Sequence, residues 1–162
     1  MNKFDAVLDE LNSAFSDAIA ATSESWPADP TDDDYNDLAK GDLFLLDAQT
    51  IPFAIYCLMR HFLRDRAKGQ VSLALEMFIE FIDVRDKDDD AVPFKTGSYD
   101  ELYAAKLERL TQVTKMHSKA ISSWLTLIAA WRDVVDDEDD DEDDVRRTIE
   151  RARHYWARRG ER

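Results

Sequence analysis

Turn-forming residues are scarce in this sequence, and crosslinking residues scarcer. Four Gly and four Pro in 162 residues cannot supply the tight connections that many short strands need, so an all-β fold is excluded and an all-α fold is expected. Cys57, the one cysteine, excludes an internal disulfide and fits a reducing compartment. No apolar run is long enough to span a bilayer. The stretch MNKFDAVLDELNSAF interrupts its apolar steps with acids and has no basic region before an apolar one. It therefore does not read as a secretory signal, and a cytoplasmic location is expected. Basic charge is short as well: 21 Lys and Arg stand against 35 Asp and Glu, a formal net charge of −14. Such a surface cannot replace the counterions of a nucleic acid or meet anionic lipid headgroups. Direct nucleic-acid and membrane binding are not expected, and a basic protein is the expected partner.

What is present is material for a core. Apolar residues make up 44% of the chain, with eight Phe and four Trp, enough for one self-sufficient domain. Residues 3–23 place Phe4, Val7, Leu8, Leu11, Ala14, Phe15, Ala18 and Ile19 at helical spacing behind Asn2 as a cap. Thr31 is positioned to cap a short helix that Gly41 ends. From Ile51 to Leu63 the chain is apolar nearly all round, with Thr50 as cap, Pro52 in the first turn and Gly69 as stop. QVSLALEMFIEFIDV repeats that character, so the two segments are expected to form a central antiparallel hairpin. Ser98 and Glu101 fit a capping box. Leu110, Val113, Ala120, Trp124, Leu127, Trp131 and Val134, with His117 in the gap, form a heptad seam. The two tryptophans are expected in the core rather than on a partner-facing stripe. An unbroken helix over 99–134 would be about 54 Å long, against about 40 Å for a domain of this size. A bend is expected in it, at Ser118, Ser122, Ser123 and Thr126.

The C-terminal stretch carries both extremes of charge. Residues 136–144 are nine acids, and residues 145–162 hold seven Arg and two Glu. That is −9 followed by +5, which leaves −10 on the first 135 residues. In a helix the nine acids would stack like charges at i,i+3 and i,i+4, costing about 2 to 5 kcal/mol in all. They would also oppose the dipole of any helix they ended. A loop that caps the following helix avoids both penalties. Val145, Ile149, Ala152 and Trp156 make a narrow apolar stripe on that helix, which is expected to dock on the acidic body. The expected organisation is thus a single-domain bundle of five to six helices in all, made of an acidic helical body over 1–135, an acidic loop at 136–144 and an Arg-rich helix at 145–162 packed on the body.

Catalytic patterns are missing. Asp86, Asp88 and Asp90 open like a calcium loop, but Ala91 stands where glycine must turn it and Gly97 where a bidentate Glu must close it. His61, His117 and His154 have no H-x-x-x-H spacing. Cys57 lies in an apolar run as a small core residue, His117 on the seam as a core histidine, and His61 among Arg60, Arg64 and Arg66 as a surface one. No G-x-S-x-G, G-x-x-x-x-G-K-[ST] or G-x-G-x-x-G occurs. No enzyme activity, cofactor or metal is expected.

The stretch LFLLDAQTIPFAIYCLMRHFLRDRAKGQVSLALEMFIEFID, about a quarter of the chain, resembles the central helical hairpin of the YjaG-like family of bacterial all-helical proteins. An aspartate-bearing lead-in, a proline opening a Cys-containing apolar helix and a Gly turn beyond it carry the likeness. The resemblance implies an all-helical fold and no activity. The acid run and the Arg-rich end depart from it.

These readings converge on a non-enzymatic acidic protein that neutralises a basic partner, as an immunity protein against a bacterial toxin or nuclease would, or a phage-type nucleic-acid mimic. The expected contact residues are Asp32, Asp33, Asp34, Asp88, Asp89, Asp90, Asp136, Asp137, Glu138, Asp139, Asp140, Asp141, Glu142, Asp143 and Asp144. The alternative is a structural or regulatory module that dimerises through the heptad seam.

Overall fold

Helical spacing in the sequence becomes helix in space. The computed structural model describes residues 2–21, 31–69, 74–84, 104–131 and 142–162, and all regular structure among them is helical. No helix among the described residues is long and apolar enough to cross a membrane.

Asn2 starts α1 (Lys3–Ala14) by accepting from the Asp5 N–H at 2.9 Å. The helix does not run on to residue 23. It breaks at Phe15, and α2 (Ser16–Ala20) follows. Phe15 is fully buried, stacked on His117 with ring centroids 4.2 Å apart and tilted against Tyr56 at 5.9 Å. Phe15 keeps its own helical bonds, its N–H donating to Leu11 O at 3.0 Å and its carbonyl accepting from the Ile19 N–H at 2.9 Å. Thr31 caps α3 (Asp32–Lys40) reciprocally: its Oγ1 accepts from the Asp34 N–H, while the Asp34 carboxylate accepts from the Thr31 N–H. Gly41 ends α3, and a 3₁₀ turn covers Asp42–Leu45.

The apolar centre is α4 (Ile51–Ala67), with Pro52 in its first turn. Thr50 precedes it without capping it, since its hydroxyl donates to Asp47 at 2.8 Å instead. Gly69, at φ 76°, takes the left-handed turn that ends this segment. Next comes α5 (Ala74–Ile82), which meets α4 through Phe62 and Phe78, ring centroids 5.7 Å apart.

The expected long helix is two helices. Residues 104–109 form α6, the chain turns at 110–112, and α7 (Lys115–Ala129) begins afresh from Thr114. Thr114 Oγ1 accepts from the His117 N–H at 3.2 Å and the Thr114 N–H donates to His117 Nδ1 at 3.0 Å. The hydroxyl cluster lies within α7, which is one continuous helix. Ser118 and Thr126 donate to the carbonyls four residues back, Ser122 reaches Arg153 O and Ser123 donates to Glu10. The last helix, α8 (Glu142–Glu161), starts inside the acid run rather than after it.

Among the described elements α7 and α8 are the most closely paired. They run antiparallel, with Gly160 beside Lys119 and Arg153 beside Ser122. A Cβ on Gly160 would sit 2.7 Å from Lys119 Cγ and 3.2 Å from its backbone nitrogen, so the glycine lets the helices touch. One hydrophobic cluster runs from Leu11 to Trp156 and absorbs the heptad seam at Leu110, Val113, Ala120, Trp124 and Trp131. Its large indoles also satisfy their polar ends: Trp124 Nε1 donates to Met59 O at 3.2 Å, and Trp156 Nε1 to Ile82 O at 2.8 Å.

Candidate functional site

Asp32, Asp33 and Asp34 form the first turn of α3, all exposed. Three acids suit that place, because a helix N-terminus carries partial positive charge. They are not equivalent. The Asp34 carboxylate is committed to the Thr31 cap, accepting from both its N–H at 2.8 Å and its hydroxyl at 3.0 Å. Asp32 and Asp33 are displayed, and exposed Asp37 and Asp42 continue the acidic edge toward the 3₁₀ turn. Of the other expected contact residues, Asp88, Asp89, Asp90 and Asp136–Asp141 lie outside the described residues. Glu142, Asp143 and Asp144 are in the first turn of α8, again at the end of a helix that favours anions.

Three arginines of α8, Arg151, Arg153 and Arg159, bond groups other than these acids. Arg151 holds Asp83 with two nitrogens, Nε to Oδ1 at 3.0 Å and a terminal nitrogen to Oδ2 at 2.7 Å. Asp83 is only 2 % exposed, and the fork geometry satisfies both its oxygens. Arg159 donates to the carbonyls of Leu110 and Val113 at 2.9 and 3.0 Å and lies over the Trp156 ring. Arg153 bonds Glu150 on its own helix at 2.7 Å. Docking of α8 on the acidic body is thus a matter of Asp83, backbone carbonyls and apolar contact through Ile149, Ala152 and Trp156.

His61 is not at the surface. It is 7 % exposed, stacked on Tyr35 with ring centroids 4.3 Å apart, and its Nε2 lies 3.2 Å from Asp65 Oδ2. The neighbouring arginines do not set its environment, because successive residues on a helix point about 100° apart and leave the face that His61 shares with Leu58 and Asp65. Asp65 is 9 % exposed, and Asp32, from the first turn of α3, brings a third ligand atom. One such atom from each of Asp32, His61 and Asp65 lies within 4.8 Å of the others. Burial holds the His61 imidazole below its ordinary pKa, against the opposing pull of Asp65 and Asp32. The signal in the sequence was the H-x-x-x-D spacing of His61 and Asp65, which places two donors on one helical face; a search for H-x-x-x-H passes over it.

The remaining titratable groups have local tasks. His117 is buried, and its Nε2 lies 2.9 Å from Asp17 Oδ1. That hydrogen bond holds the Asp17 carboxyl below its usual range. Cys57 is buried, and burial pushes its thiol up to about 12, so it is no nucleophile at neutral pH.

No family model matches the chain, and no match is found among curated proteins or solved structures. The likeness to the YjaG-like hairpin accordingly rests on the quoted residues alone.

Proposed function

We propose that this chain is a non-enzymatic acidic protein that binds a basic protein through displayed carboxylates, in the manner of an immunity protein or a nucleic-acid mimic. The supporting observation is the separation of charge. Asp32, Asp33, Asp37 and Asp42 are exposed along α3 and the turn after it, while Arg151, Arg153 and Arg159 bond Asp83, Glu150 and backbone carbonyls. The frame is read as a helical bundle in which α4 and α5 form a hairpin about Gly69. An exposed ion pair contributes only about 0 to 1 kcal/mol, so no single aspartate decides affinity. A same-sign edge added to the acid run acts through the summed field, which accelerates encounter with a cationic groove by about 10 to 10³-fold. Carboxylates there stand in for phosphates against a partner's Lys and Arg. The homodimer alternative draws nothing from the seam, whose described residues are filled by the chain's own core.

Affinity capture on the immobilised full chain, at about 50 mM and about 500 mM salt, tests the reading. A basic protein retained at low salt, released at high salt and lost by Asp33→Lys with Asp37→Lys, or by neutralising residues 136–144, is the expected result. Retention of neutral or acidic proteins only, or retention indifferent to salt and to both variants, would overturn it.

A further inference from the structure

The cluster of Asp32, His61 and Asp65 has features that an ordinary ion pair does not need. His61 and Asp65 lie one helical turn apart on α4 and are both nine-tenths buried, so their donor atoms are held by packing rather than by chance surface rotamers. Tyr35 from α3 covers the imidazole face. Asp32 closes the group from α3, on the exposed side. The Asp65 carboxylate lies 3.2 Å from the His61 ring nitrogen, with the Asp32 carboxylate beside them, so two acids share one half-enclosed site. A divalent cation would balance the two carboxylates.

We infer that Asp32, His61 and Asp65 bind one divalent first-row transition-metal ion of the zinc class, which clips the start of α3 to the middle of α4. The donor set selects the class. An imidazole nitrogen favours zinc and its neighbours over magnesium and calcium, which prefer all-oxygen shells. Two carboxylate oxygens complete a three-residue set that leaves one tetrahedral position for water. Ligand atoms on one tetrahedral zinc are about 3.4 Å apart. The present spread of up to 4.8 Å therefore closes by roughly 1 Å on binding, which rotation of the exposed Asp32 side chain supplies. The buried pair need not move far. The inference is separable from the basic-partner reading, since of the displayed acids it uses Asp32 alone and it needs no second protein.

Calorimetric titration of the metal-stripped full chain with zinc chloride, in excess magnesium to occupy the exposed acids, tests it. The expected result is one equivalent bound, with a rise in Tm of about 5 °C at saturation. Asp32→Asn should weaken binding at least about tenfold and abolish the rise. Asp33→Asn, one residue along the same exposed turn, should change neither. Because Asp32 is exposed, its variant folds, which buried His61 variants do not guarantee. Of the three histidines, only His61 should show shifted imidazole nitrogens in long-range ¹H–¹⁵N spectra on adding zinc. Absence of saturable binding, equal loss in Asp32→Asn and Asp33→Asn, or a shift at His117 or His154 instead of His61 would each overturn the assignment.

Discussion

The first turn of α3 and the body of α8 are both densely charged, and they use charge in opposite ways. In α3, three consecutive acids sit where the helix dipole favours them, one closing its own cap and two displayed to solvent. In α8, two arginines reach across the fold. Arg151 neutralises Asp83, Arg159 covers two carbonyls at the 110–113 turn, and Trp156 between them fills the core. Charge that touches buried groups anchors the molecule; charge that touches only its own turn remains available to another one. Net sign alone does not distinguish the two.

Substitutions can break that contrast, starting from the anchoring side. Trp156→Ala removes a fully buried indole and strands Ile82 O, and should cost about 3 to 5 kcal/mol of stability in denaturant unfolding. Asp83→Ala leaves Arg151 without its fork. A fully buried pair would lose about 3 to 5 kcal/mol, but Arg151 is partly exposed and can turn to water, so about 2 kcal/mol is expected by the same measurement. On the displaying side, Thr31→Ala loses a cap and should cost about 1 kcal/mol, read as faster amide exchange in α3. The smallest effect belongs to Asp17. Its carboxyl pKa is lowered in the fold, so its contribution is present above the unfolded value of 3.8 and is lost as pH falls through the lower folded value. Acid unfolding of Asp17→Asn should lack that part of the pH dependence, while the two proteins stay parallel from pH 5 upward.

Much of the frame was legible because periodicity and caps are local. The Thr31 and Gly41 boundaries, the burial of Cys57 and the stripe of α8 all follow from spacing read along the chain. Where a distant residue decides, sequence spacing falls short. The heptad pattern through 110–134 is continuous, yet the helix restarts at Thr114 because His117 supplies Nδ1 where a capping box ordinarily has a Glu or Gln oxygen. Ser118 and Thr126, expected to bend the helix, bond the carbonyl four residues back inside a continuous α7, and the chain turns instead at 110–112. The break at Phe15 depends on His117 and Tyr56, far along the chain. Of the candidate site, the acids of α3 were visible in sequence. The enclosure of His61 was not, because Tyr35 and Asp32 come from another helix.

The end of α5 shows what such distant dependence implies for folding. Its last carbonyls and Asp83 are met by Lys106 from α6 and by Arg151 and Trp156 from α8. A nascent chain made only as far as residue 150 therefore carries α5 with an unfinished terminus, and its contacts to Arg151 and Trp156 close only once those residues have emerged from the ribosome.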